Sequence, residues 1–130
     1  MLILSIRTDK PEAEIGLFDG KKQLAYKTWQ ANRELSDTIH VEIEQLLDQQ
    51  HKKFQDVQGI VCFQGPGSFT GLRIGLTVGN ALAYSFNAPI VAEQDKGWLQ
   101  KGIIRLMNGE SDSLALPEYG AVAHVTVPKK

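Results

Sequence analysis

The sequence predicts a mixed α/β fold: a sheet that opens as three antiparallel strands and continues through alternating helices, in the order βββαβαβα. Three patterns point to it. Two strand-like runs meet at Asp19-Gly20, a two-residue hairpin signal. From residue 33 onward the hydrophobic period lengthens to steps of three and four. Two short apolar runs, 57–63 and 88–92, then enclose a glycine-rich segment of helix length.

Each element has its own warrant. LILSI (2–6) is apolar enough for a strand buried on both faces. AEIGLF (13–18) and KQLAYKTW (22–29) complete an antiparallel meander. Leu35, Ile39, Ile43, Leu46 and Leu47 form one stripe of an amphipathic helix running to about Lys53, with Asn32 or Ser36 as its cap. VQGIVCF (57–63) reads as a buried strand, the helix over 69–86 follows, and APIVA (88–92) is a further strand. A last helix is expected within 94–107, with Trp98, Leu99, Ile103 and Leu106 on one side. The expected division is a lobe over 1–107 and a tail over 108–130. That tail begins with the polar turn NGESDS (108–113) and continues as an edge strand around 121–127 or as a docking segment anchored by Tyr119.

Bulk composition narrows the function. Lys plus Arg is 14 and Asp plus Glu is 15, a net charge of -1 over 130 residues, which argues against a module built to grip nucleic acid. Cys62 is the single cysteine, so an intrachain disulfide and a cysteine zinc site are both excluded; in GIVCF it reads as a buried, inert thiol. His40, His51 and His124 are scattered, leaving Ser68 without a positioned base, and no metal-ligand cluster stands out. No catalytic residue, cofactor or metal is expected. The N-terminus lacks the features of a signal peptide and no apolar stretch reaches membrane-spanning length, so a cytoplasmic location is expected.

The informative stretch is GPGSFTGLRIGLTVGNALAYSF (65–86). Gly71, Gly75 and Gly79 fall in line along the helix, and each costs about 1 kcal/mol relative to alanine. Arg73, Thr77, Asn80 and Tyr84 make one narrow polar stripe, and the rest of the circumference is apolar or small. That apolar sector is about twice the ~100° a single buried face needs. The helix is therefore expected to touch its sheet on one side and another helix on the other. That helix is either the 35–53 helix or one from another subunit, and the width of the sector favours the latter. The turn itself, with Gly65, Gly67, Ser68, Thr70 and Gly71, has backbone N–H groups that suit an anion. Leu72-Arg73 stands where a P-loop needs Lys followed by Ser or Thr, however, so the phosphate signal is weak.

GPGSFTGLRIG after a buried strand, behind a hairpin and one amphipathic helix, resembles the TsaB (YeaZ) family over about residues 1–95. The resemblance implies a lobe of the actin-like ATPase (ASKHA, RNase H-like) fold. It implies a non-catalytic accessory subunit for threonylcarbamoylation of the tRNA adenosine next to the anticodon. It also implies a TsaD-like catalytic partner, bound through the two helices at 35–53 and 69–86. The interface is then expected at Leu35, Ile39, Ile43, Gly71, Gly75, Val78, Gly79 and Leu82. A TsaE-like ATPase would join at the same junction, and tRNA would be met only through the complex. Two departures bear on this. Typical members have two lobes where this chain reads as one. Their first strand ends in DTS, whose Asp helps hold metal and phosphate in active ASKHA enzymes, where this chain has Arg7-Thr8-Asp9. Two alternatives stand beside the scaffold: a nucleotide- or phosphate-binding ASKHA enzyme using the Gly65–Gly71 loop, and a homodimer packed through its own glycine ridge.

Overall fold

The structure is a computed structural model that describes residues 1–31, 34–67 and 69–116. The strand expected around 121–127 and the Tyr119 anchor lie outside the described residues, as do Asn32 and Ser68. Among the described residues, five strands and three helices follow in the expected order: β1 Leu2–Arg7, β2 Glu12–Asp19, β3 Lys22–Gln30, α1 Leu35–Gln49, β4 Gly59–Gly65, α2 Phe69–Phe86, β5 Ile90–Gln94 and α3 Trp98–Met107. A 3-10 turn at Phe54–Asp56 leads into β4.

The strands form one sheet in the order β3-β2-β1-β4-β5. β1, β2 and β3 pair antiparallel, whereas β4 lies parallel to β1 and β5 parallel to β4. The hairpin turn sits one residue later than expected. Asp19 still pairs with Lys22, and Gly20 takes the first loop position at φ +58°, where a side chain would be strained.

Alternation along the central strands sends side chains to two faces. Leu4 and Ile6 of β1, Ile60 and Cys62 of β4, and Ile90 and Ala92 of β5 join one core with α1 and α2. Ile3, Val61, Phe63 and Val91 join a second core with α3. The sheet is thus the middle of three layers. Trp29 of β3 donates from Nε1 to Thr38 Oγ1 of α1 at 3.1 Å, while Trp98 of α3 packs edge-on to Phe63 in the other layer, with ring centroids 5.6 Å apart. Cys62 is fully buried, and burial pushes its thiol pKa up to about 12, which keeps it protonated and inert.

Glycines set how closely the helices approach. A Cβ on Gly75 would overlap Thr8 Oγ1, and one on Gly79 would lie 2.6 Å from Cys62 Sγ. On the opposite face, a Cβ on Gly102 of α3 would overlap Val61 Cγ2.

Residues 108–116 do not leave the lobe. Asp112 N donates to Ile90 O at 2.7 Å, and Ala92 N donates to Asp112 Oδ2 at 2.9 Å, so this segment straps the outer edge of β5. Arg105 of α3 holds it through ion pairs to Glu110 and Asp112, and pairs as well with Glu93 of β5. Burial of Asp112 works to raise its pKa, but hydrogen bonds from Arg105 and from Ala92 N–H outweigh it and leave the carboxyl below its ordinary value.

Two outcomes test this packing. Gly75→Ala is expected to destabilise the chain by about 1–3 kcal/mol in urea titration, through overpacking against Thr8. Combined with Thr8→Ala it should cost less than the sum of the two. For the strap, a folded-state pKa below the unfolded value of about 3.9 means the stabilisation is complete above that pH and is lost as pH falls through the folded value. The stability gap between wild type and Asp112→Ala should therefore be full at neutral pH and shrink below about pH 4.

Candidate functional site

The loop at 65–67 that leads into α2 lies against the end of β1. Gly67 is flush on Asp9, since a Cβ there would overlap the Asp9 Cβ. Thr8 Oγ1 donates to Gly71 O at 2.7 Å, tying the first turn of α2 to β1. Arg7 grips Asp9 with two bonds, Nε to Oδ1 at 2.8 Å and Nη2 to Oδ2 at 3.2 Å. The guanidinium carbon also sits 4.0 Å from the centroid of the Phe63 ring. The hydrogen bond to Asp9 is the main cause that raises the Arg7 pKa, with burial working against it. Asp9 thus lies against Gly67, two residues before the start of α2.

This geometry bears on the candidate anion loop of Gly65, Gly67, Ser68, Thr70 and Gly71. At Gly67 the space a side chain would take is filled by Asp9, and the Gly71 carbonyl is engaged by Thr8. The end of β1 does not fit a metal–nucleotide group either. A cation stands there, and both oxygens of the neighbouring carboxylate already accept from it. The Arg7–Asp9 grip was missed in the sequence because a pair two residues apart at a strand end carries no periodic mark.

The expected interface needs correction. Leu35, Ile39 and Ile43 are 4%, 0% and 0% exposed and lie in the core between α1 and the sheet. Gly75 and Gly79 face β1 and β4, not a neighbouring helix, because the sheet takes the space their missing side chains leave. Gly71 is tied to Thr8, and Val78 and Leu82 are each only 9% exposed. The glycine ridge is therefore internal.

The helix pair's outer face is the polar stripe instead. Arg73 and Thr77 line a groove of about 300 Å³ between α1 and α2, together with Ser36, His40, Thr70, Ile74 and Val78. Val41 on α1 is 50% exposed, and Tyr84 on α2 is 90% exposed, the most open of the large hydrophobic side chains described. Phe86 stacks on Phe54, which meets His40 edge-on. Thus the stripe Arg73-Thr77-Asn80-Tyr84, visible as a pattern, marks the outward side.

A five-stranded mixed sheet of this order, with two helices on one face and one on the other, defines a lobe of the RNase H-like, actin-type ATPase class. A family model described as "TsaD: tRNA N6-adenosine threonylcarbamoyltransferase" matches residues 29–95, from the end of β3 through α1, the glycine loop and α2 to β5. The chain belongs to this family, and within it is similar to TsaB/YeaZ. TsaB of Bacillus subtilis is 53% identical over 38 residues, 29% of this chain and 17% of that protein. The tRNA N6-adenosine threonylcarbamoyltransferase of Nitrosomonas eutropha is 28% identical over 107 residues, 70% of this chain and 32% of that protein. YeaZ from Pseudomonas aeruginosa superposes with a TM-score of 0.67 at 23% identity, covering 78% of this chain and 50% of that one. RuvC of Thermus thermophilus shares the fold more distantly, with a TM-score of 0.54 at 12% identity. This chain spans half or less of the length of TsaB, of the transferase and of YeaZ.

The Arg7–Asp9 reading has a direct check. Asp9→Ala is expected to lower stability by about 1.5–3 kcal/mol, the scale of hydrogen bonds to a charged group. Magnesium-ATP and phosphate should leave the wild-type melting temperature unchanged; a rise with nucleotide would return the loop to the list of ligand sites.

Proposed function

We propose that this chain is a non-catalytic scaffold in the synthesis of threonylcarbamoyladenosine on tRNA, binding a TsaD-type catalytic subunit through the outer face of α1 and α2. The observation that carries the reading is that face itself. It carries a groove of about 300 Å³ and, further along α2, a tyrosine that is 90% exposed, on the helix pair that the family match contains. Tyrosine anchors and shallow grooves are the usual centres of protein interfaces. Because the same family model describes the catalytic protein, that partner is expected to carry a comparable helix pair, and like would pack on like about a pseudo-two-fold axis.

The scaffold role is supported by the filled end of β1, where a cation and its bound carboxylate replace the acidic residue that the family resemblance implies. In this reading tRNA meets the assembly, not this chain, in keeping with its charge of -1. A TsaE-like ATPase would join the same complex, and a homodimer through the same face competes with it. The site is cytoplasmic, with the tRNA. Among the described residues, no helix is long and apolar enough to cross a membrane.

Light scattering behind size exclusion tests this, with the chain alone and then mixed with the TsaD-type protein of the same genome. A complex with one copy of each is the expected outcome, and Tyr84→Glu should abolish it while leaving the melting temperature within about 2 °C, since surface changes rarely exceed about 0.5 kcal/mol. A chain that stays monomeric throughout would overturn the proposal.

A further inference from the structure

The two edges of the sheet are protected in different ways. β3, at one edge, carries Lys22 and Lys27, and charged residues of this kind keep an open strand from pairing with another chain. β5, at the other edge, has Ile90-Val91-Ala92, an uncharged run without a proline and with two β-branched side chains. Pro89 O accepts from Ile60 N on the β4 side at 3.0 Å, so alternation turns the N–H and C=O of Ile90 and Ala92 away from β4. Each of these outward groups is taken, and none by a strand. Ile90 N donates to Ser111 Oγ at 3.3 Å, and Ile90 O accepts from Asp112 N at 2.7 Å. Ala92 N donates to Asp112 Oδ2 at 2.9 Å, and Ala92 O accepts from Arg105 Nη1 at 3.4 Å. One main-chain amide and the side chains of Ser111, Asp112 and Arg105 thus stand in for a sixth strand.

This cover is polar and detachable. Glu110, Ser111, Asp112 and Ser113 are all exposed, and Arg105 anchors them to α3. Gly109 at φ +84° and Ser113 at φ +67° bracket the segment, and Gly109 stands in open space. A segment that buries little apolar surface opens at a lower cost than the sheet beneath it. Once it lifts, the freed groups of Ile90 and Ala92 are complementary to the same groups in another molecule. With two copies of β5 antiparallel about a two-fold axis at Val91, Ile90 of each lies opposite Ala92 of the other, and each such pair exchanges two N–H···O bonds.

We propose that residues 110–113 are an edge guard, an autoinhibitory contact that keeps β5 from pairing with β5 of a second copy of this chain. The buried strand needs a guard of this kind. Ile90 and Ala92 belong to the core under α1 and α2 and Val91 to the core under α3, so a charge placed within the run would sit in one core or the other. Protection therefore comes from a neighbouring polar segment and leaves the strand itself apolar.

Light scattering behind size exclusion, with amide hydrogen exchange, tests this on the full chain. The Tyr84→Glu background keeps any association through α1 and α2 out of the measurement. Ser111→Ala combined with Asp112→Ala removes both side-chain acceptors from the edge. If circular dichroism shows that variant unfolded, Arg105→Ala, which removes the anchor, takes its place. The expected result is a rise from one copy to two as concentration increases about a hundredfold, while the parent stays at one. Exchange at the Ile90 and Ala92 amides should slow at least about tenfold over the same range. A mass of one copy at every concentration, with both amides exchanging freely, would overturn the proposal. So would two copies whose Ile90 and Ala92 amides exchange freely, because the contact would then lie elsewhere. Protection of both amides in a single copy would give the edge to the chain's own residues 117–130 and refute the guard against a second copy.

Discussion

The seating of α2 on the sheet is the constraint on which the rest of the structure depends. Where Gly75 and Gly79 stand, any side chain would meet Thr8 or Cys62, so the helix axis lies closer to β1 and β4 than ordinary residues allow. Each glycine costs about 1 kcal/mol in helix propensity. Leu72 and Leu76, 0% and 3% exposed on the same helix, offset this by about 1.5–3 kcal/mol each through burial. Once that rotation is fixed, the rest of the circumference has no freedom. Arg73, Thr77, Asn80 and Tyr84 must face outward, α1 must flank them, and Asn80 comes within reach of the strap.

The same seating decides what happens at the end of β1. Because the loop into α2 is drawn down onto Thr8 and Asp9, the strand end becomes a closed clasp: a hydroxyl on a helix carbonyl, a carboxylate under the loop and a guanidinium over an aromatic ring. These contacts are mutually satisfied. A lobe stiffened at this point and open along its helix pair suits a surface that other proteins dock on.

Much of the architecture was legible because it rests on local periodicity. The stripe Leu35, Ile39, Ile43, Leu46 and Leu47 gave α1, although the helix stops at Gln49, short of Lys53, and begins after Glu34 with no side-chain cap. The apolar run 57–63 gave β4, displaced by two residues. The function of the glycines was not legible. Periodicity states that Gly71, Gly75 and Gly79 share a side of the helix but not whether a sheet or a helix fills it, and the width of the apolar sector suggested the wrong neighbour. The strap was harder still. NGESDS read as a polar turn, because its bonds reach Ile90, Ala92 and Arg105 across the fold and leave no pattern in the chain. The outward stripe was visible, but nothing in its spacing tells a solvated face from a contact face.

The two tryptophans divide between the layers. Trp29 has its indole N–H bonded to α1, whereas Trp98 is 6% exposed against Phe63 beneath α3. Their emission therefore comes from opposite sides of the sheet. Detachment of α1 would release Trp29's N–H to water and shift its emission to the red, with Trp98 still shielded, and loss of α3 would do the reverse. With phenylalanine in place of either tryptophan, the lobe carries its own pair of optical gauges, one for the face where a partner is proposed to dock and one for the face turned away from it.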